Sequence, residues 1–238
     1  MTIGLSCDVE LTMPAAGFSD VMKARQFEAA LSGLGPKHRP TYIDGVQLHP
    51  DSLACEFALE GPASTVGEFM MKFQHAREIA QSVMGMHLVG YDAIDTRTLP
   101  LLNPDLMPVC YTAANTFGCS PAWVVLRSGK PKYRNIVPDV VRNSTVKGMG
   151  FHFHFNLPED MCDEEDGTLC ARAVSTFCDR TQMLHTSPGD GWYRKPRVYR
   201  PKKYGMEYRS FGAGLADNHA QLEMAVIQAF RLMEELGV

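Results

Sequence analysis

Three short stretches of this chain place chemically capable side chains at a spacing of two. The most pointed is Gly148-Met149-Gly150-Phe151-His152-Phe153-His154-Phe155-Asn156. As a strand it sends His152, His154 and Asn156 to one face and the three phenylalanines to the other, with the imidazoles roughly 7 Å apart. Near the start, Ile-Gly-Leu-Ser-Cys-Asp-Val-Glu-Leu (residues 3–11) sets Asp8 and Glu10 on a common face. Adjacent carboxylates repel, and a bound hard cation is the simplest reason to keep both. Towards the end, Glu207 and Arg209 point together by the same rule. Glu56 stands among Cys55, Phe57 and Leu59, a carboxylate in a core-like strand that needs a partner, either a metal or a buried basic group.

Asp8 with Glu10, Glu56, the two histidines and Glu207 make a multi-metal site, and Arg142, Arg194, Arg197, Arg200 and Arg209 supply positive charge beside it. Carboxylates with surplus arginines suit phosphoryl transfer, in which cations bridge phosphates and fixed positive charge meets developing negative charge. No Gly-x-x-x-x-Gly-Lys-[Ser/Thr] loop and no dinucleotide fingerprint occurs, which argues against a P-loop or Rossmann enzyme. Two other readings use the same residues. The segment 192–204 carries arginines and lysines interleaved with aromatics, as a nucleic-acid patch of a non-catalytic or virion-associated protein would. The histidines and carboxylates would equally serve an ATP-independent, metal-dependent hydrolase.

The elements that must position these groups are legible in outline. A helix is expected over 19–32, with Val21, Met22, Arg25, Ala29 and Ala30 as its apolar stripe. Gly33 to Pro40 then forms a loop carrying Lys37, His38 and Arg39, which suits an anion and equally a solvated turn. Residues 41–60 read as one hairpin turning at His49-Pro50-Asp51-Ser52. Thr65-Val66-Gly67-Glu68 opens the clearest helix, over 65–84, in the form of a capping box, with Phe69, Phe73, Ala76, Ala80 and Val83 as its stripe. Prolines interrupt 90–121, and neither Cys119 nor Ser120 has a local base to make it a nucleophile. Helices are expected over 165–185, after the acidic turn 159–166, and over about 217–236, where Leu222, Val226, Ala229, Met233 and Leu236 share a face. No linker and no repeat divides the chain. The expectation is one α+β domain over 1–238, a largely antiparallel sheet with helices packed on one side.

At 238 residues, 45% hydrophobic and 21% charged, the composition is that of an ordinary globular protein. A net charge of −4 gives no footprint for non-specific nucleic-acid binding. No apolar run reaches the length of a membrane span, and the N-terminus lacks the layout of a signal peptide. The seven cysteines include no Cys-x-x-Cys pair. Cys162, Cys170 and Cys178, spaced by eight, suit buried small hydrophobes better than zinc ligands. A reducing cytoplasm is the expected setting.

In their order, these motifs resemble the phage-type carboxylate–amine ligases, the type 2 COOH·NH2 ligases of the glutamine synthetase-like superfamily. The likeness runs through the acidic pair Asp8 and Glu10, the Gly35-Pro36-Lys37 loop, and Gly45 to Phe57 with Glu56. It continues with Gly61-Pro62-Ala63-Ser64 and a helix, the stretch from Arg142 to His154, Gly191-Trp192-Tyr193-Arg194, and Glu207-Tyr208-Arg209. The resemblance implies a curved antiparallel sheet holding ATP and Mg2+ or Mn2+. It places metal on Asp8, Glu10, Glu56, His152, His154 and Glu207, and phosphates on Lys37, Arg194, Arg197 and Arg200. Arg142, Glu207 and Arg209 would be catalytic. It further implies small-molecule or peptide carboxylate and amine substrates, nucleic acid only as a modified substrate, no membrane partner, and the host cytoplasm for a phage-encoded chain. Two departures stand out. The opening pair is Asp8-x-Glu10 where Glu-x-Glu is usual, and the turn Cys119-Ser120-Pro121-Ala122 carries no acid. Glu207→Ala and Arg209→Ala are expected to abolish ligation while leaving the fold largely intact.

Overall fold

The strand Gly150–Asn156 occupies the middle of a nine-stranded sheet. The computed structural model describes residues 3–115, 122–126, 128–134, 144–158, 168–185 and 196–237. Its strands are β1 (Gly4–Leu11), β2 (Thr41–Ile43), β3 (Val46–Asp51), β4 (Ala54–Leu59), β5 (Ala93–Asp95), β6 (Ala122–Val125), β7 (Pro131–Arg134), β8 (Val146–Gly148), β9 (Gly150–Asn156), β10 (Val198–Lys202) and β11 (Gly205–Gly212). The large sheet runs β2-β3-β4-β1-β9-β11-β10-β6-β7, and β5 pairs with β8 in a small second sheet. Every pairing is antiparallel.

The helices are α1 (Val21–Gly33), α2 (Val66–Met84), α3 (Pro108–Ala114), α4 (Thr168–Arg180) and α5 (His219–Glu235). Alternation along β9 separates the two faces of the sheet. Phe151, Phe153 and Phe155 are fully buried. Phe73 of α2 meets Phe151, Phe69 of α2 and Phe177 of α4 meet Phe153, and Phe177 also meets Phe155. α5 lies against β1, α2 and α4. The buried apolar side chains of sheet and helices form one continuous cluster. The class is therefore α+β with a large antiparallel sheet. No helix among the described residues is long and apolar enough to cross a membrane.

Local chemistry sets the helix ends. Thr65 caps α2 by accepting the Glu68 N–H, as the capping box requires. The reciprocal bond differs, because the Glu68 carboxylate takes the N–H and hydroxyl of Ser64, one residue upstream of the cap. Asp20 caps α1 through the N–H groups of Met22 and Lys23, so this helix begins two residues later than expected. Its buried side is Ala24, Phe27, Glu28 and Leu31, whereas Val21 and Met22 are exposed. The expected stripe lies on the wrong side because Phe27, which meets Phe18 edge-on, fixes the helix's rotation.

Residues 41–59 form two hairpins, and His49-Pro50-Asp51 belongs to β3. The first turn is Asp44-Gly45, both at positive φ (46° and 76°), the backbone that a two-residue primed turn demands. The second turn sits at Ser52-Leu53, with Ser52 at φ 53°.

Candidate functional site

The sheet's second face carries the polar residues, and strand register brings them together. Asp8 pairs across β1 and β9 with His152, His154 pairs with Glu207 on β11, and Glu207 pairs with Arg200 on β10. Two residues along β1, Glu10 pairs with Glu56 on β4, which pairs with His49 on β3. Two rows of chemistry-bearing side chains therefore cross the sheet, the first two register positions wide, Asp8 with His152 and then His154 with Glu207 and Arg200, and the second made of Glu10, Glu56 and His49. They join at Asp8 and Glu10, roughly 7 Å apart along one strand. Glu56 has Ala54 and Ala58 as its same-face neighbours on β4, which keeps the surface around it low.

The first row is dense in charge. His152 Nδ1 lies 2.5 Å from Asp8 Oδ1 and 3.7 Å from Glu207 Oε1. His154 Nε2 donates to Asp8 Oδ2 at 3.0 Å, and its Nδ1 is 2.5 Å from the Tyr204 hydroxyl. The buried Glu207 carboxylate meets Arg209, Lys202 Nζ at 2.7 Å and Arg200 Nη1 at 3.3 Å. Burial alone would raise Glu207, but Arg209 and the two histidines hold it well below the usual carboxylate range. Asp8 is likewise lowered, against its burial, by His152 and His154. Burial keeps His152 low, whereas His154 is raised, its burial outweighed by the Asp8 charge.

Arg209 lies on the face of Glu207 by plain alternation, and β11 becomes irregular at this point. Tyr208 pairs with Phe153 and Phe211 with Phe151, so Arg209 and Ser210 together stand opposite His152. This is a β-bulge, a device that re-aims a side chain at the cost of one ladder pairing. Ser210, fully buried, repairs the neighbouring backbone by accepting the Val198 N–H at 3.0 Å.

The second row is acidic. Glu10, Asp51 and Glu56 bring carboxylate oxygens within 4.8 Å of one another. Glu10 also accepts the Gly150 N–H at 2.9 Å, so the side-chain-free start of β9 is filled by this carboxylate. Lys37 Nζ lies 3.2 Å from Glu56 and 3.5 Å from Asp51. Burial and the Glu56 charge push Asp51 up to about 6 even with Lys37 beside it. His49, 1% exposed, places Nε2 3.3 Å from Glu56 Oε2, and neither ring nitrogen makes a hydrogen bond among the described residues.

Of the residues singled out in the sequence, Asp8, Glu10, Glu56, His152, His154, Glu207, Arg209, Arg200 and Lys37 share this face. Arg197 does not. It points to the helix side of the sheet and bonds Asp179 of α4 at 2.8 Å. Arg142, Arg194 and the Cys119–Ala122 turn up to Pro121 lie outside the described residues. Five of the six expected ligands divide into two groups, Asp8 with His154 and Glu207, and Glu10 with Glu56 and the unforeseen Asp51; each could hold a metal ion. His152 stands beside the first as a partner of Asp8.

Asp51, His49, Lys202 and Tyr204 are the residues that sequence reasoning missed. The first two were hidden by reading His49–Ser52 as a turn. The Asp44-Gly45 pair, a strong hairpin signal, would have started β3 at Val46 and put Gln47, His49 and Asp51 on one face. Comparison of the chain with protein-family models, with characterised proteins and with solved structures finds no match to any of them.

Proposed function

We propose that this protein is an ATP-dependent carboxylate–amine ligase of the glutamine synthetase-like kind, using Mg2+ or Mn2+. The observation that carries the reading is the polarisation of one sheet face. Glu10, Asp51 and Glu56 set three carboxylates around Lys37 at the β3–β4 side, while Arg200, Lys202 and Arg209 set three cations around Glu207 at the β10–β11 side. A metal–polyphosphate complex has this polarity, with cations at one end and anionic oxygens at the other. The donor sets fit a hard divalent cation, being mostly carboxylate oxygen. When bound, such ions would bridge and neutralise phosphate oxygens.

In this reading a substrate carboxylate attacks the γ-phosphorus of ATP, the β–γ bridging bond breaks and ADP leaves. The amine then attacks the acyl phosphate carbon, phosphate departs and the nitrogen loses a proton. Arg200, Lys202 and Arg209 hold the phosphate oxygens and stabilise the charge that builds on them. Glu207 keeps these three side chains converged, and His152 with His154 orients Asp8. The nucleic-acid reading loses Arg197, which bonds Asp179 of α4 on the helix side of the sheet.

The test is calorimetric titration with a non-hydrolysable ATP analogue, with and without Mg2+ or Mn2+. Metal-dependent nucleotide binding, weakened at least tenfold in an Arg200→Ala, Lys202→Ala double variant, is expected. It would justify screening carboxylates and amines for ADP release. Metal binding without any nucleotide binding would replace the ligase by a hydrolase. Binding of neither would remove both, and segment 192–204 would then be titrated with single-stranded nucleic acid at graded salt.

A further inference from the structure

We propose that Lys37 is a built-in occupant of the Glu10–Asp51–Glu56 cation site, and that a divalent cation binds there by expelling its ammonium group. The proposal concerns the metal half of the reading above and needs no nucleotide.

Three independent features indicate a cation at this place. Glu10 and Glu56 are directly opposed across β1 and β4, a like-charge pair that destabilises a sheet unless something positive lies between. Asp51 adds a third carboxylate from β3. The buried His49 ring meets Glu56 Oε2 at 3.3 Å without either of its nitrogens entering a hydrogen bond among the described residues. An imidazole and a carboxylate held together in this way are accounted for by a cation on which both bear.

Lys37 supplies positive charge to two of these carboxylates, yet it is the loosest member of the group. It comes from the connection between α1 and β2 rather than from the sheet, and its side chain is 66% exposed. An ammonium offers one charge on a flexible stem, and here that stem is open to solvent while the Glu56 carboxylate it meets is buried. A divalent ion brings twice the charge and takes several carboxylate oxygens at once. Its arrival places like charges side by side, and the long side chain on the exposed connection is the group able to leave. The released ammonium stays tethered on the same face as Arg200 and Lys202, where it can meet an anion that accompanies the metal.

Mn2+ alone, followed by electron paramagnetic resonance of the unbound ion, tests the site. Lys37→Met is expected to bind Mn2+ about three- to tenfold more tightly than the wild type, as removal of one competing charge implies. Asp51→Asn with Glu56→Gln is expected to lose the binding that Lys37→Met tightens and to keep any Mn2+ held by Asp8, His154 and Glu207, with circular dichroism showing that each variant folds. A mere change in local potential would also tighten binding, so a second measurement reads the lysine itself. Labelling of Lys37 by an amine-reactive ester, quantified by mass spectrometry, is expected to accelerate when Mn2+ is added to the wild type. Mn2+ binding with unchanged Lys37 labelling, unchanged or weaker binding in Lys37→Met, retention of that Lys37-sensitive binding in the carboxylate variant, or no binding in either protein would each overturn the proposal. Its failure is separable from that of the ligase reading, which stands or falls on the nucleotide titration.

Discussion

At the scale of single residues, Glu207 changes most between sequence and structure. From the sequence it is a catalytic carboxylate whose removal should spare the fold. In the structure it is buried, with Arg209, Arg200 and Lys202 around it and His152 close by. Deleting one member of a buried charged group leaves the others uncompensated, at about 3–5 kcal/mol. Glu207→Ala is therefore expected to lower unfolding stability by about that amount in urea titrations. Glu207→Gln, which keeps the shape and an acceptor oxygen, should lose less. A functional test at this position needs the glutamine variant. Equal stability of Glu207→Ala and wild type would show that the three cations do not depend on it.

At the scale of elements, the bulge in β11 lets one strand serve both the site and the core. Strict alternation of the same residues from Tyr208 onward would place Phe211 on the polar face, and the bulge returns it to the core. Ser210 secures that irregularity through Val198. Ser210→Ala leaves a buried backbone donor without its partner and is expected to cost about 1–3 kcal/mol. It should also weaken nucleotide binding, because Arg209 is aimed from the same bulge; a stability loss with unaltered binding would separate the bulge from the site. The turn between β10 and β11 is as constrained. Gly205 has φ 137°, and a Cβ there would lie 2.1 Å from the Phe155 carbonyl oxygen. Gly205→Ala is expected to displace Tyr204 from His154 and to lower the melting temperature measurably.

At the scale of the whole molecule, the two faces of β9 tie stability to function. Phe153 touches Phe69 of α2, Phe177 of α4 and Phe211 of β11, so one side chain joins two helices to the sheet behind His152 and His154. Phe153→Ala should cost about 3–5 kcal/mol. Metal and nucleotide binding are expected to weaken with it, since the histidines ride on the same strand. Calorimetric unfolding of the variant with and without Mn2+ checks both effects. A variant that unfolds at lower temperature yet binds Mn2+ as the wild type does would uncouple the core from the site.

The sequence by itself determined the alternation in β1, β9 and β11, the capped α2 helix and the class of sheet with helices, because these rest on local periodicity and local hydrogen bonding. It also named most of the residues that meet on the polar face, since a period of two assigns faces without knowledge of neighbours. Only the tertiary structure decided which strand lies beside which. Pairing of residues more than 100 apart joined Asp8 to His152 and His154, and the pairing of β1 with β4 brought Glu10 to Glu56 and so to the Asp51 and His49 of the β3–β4 hairpin. Strand pairing also turned Arg197 to the helix side, because its place follows from the register of β10 against β11 and from Asp179 on α4. Face assignment is a property of the local backbone, whereas register and neighbours are set by the packing of distant segments into one core.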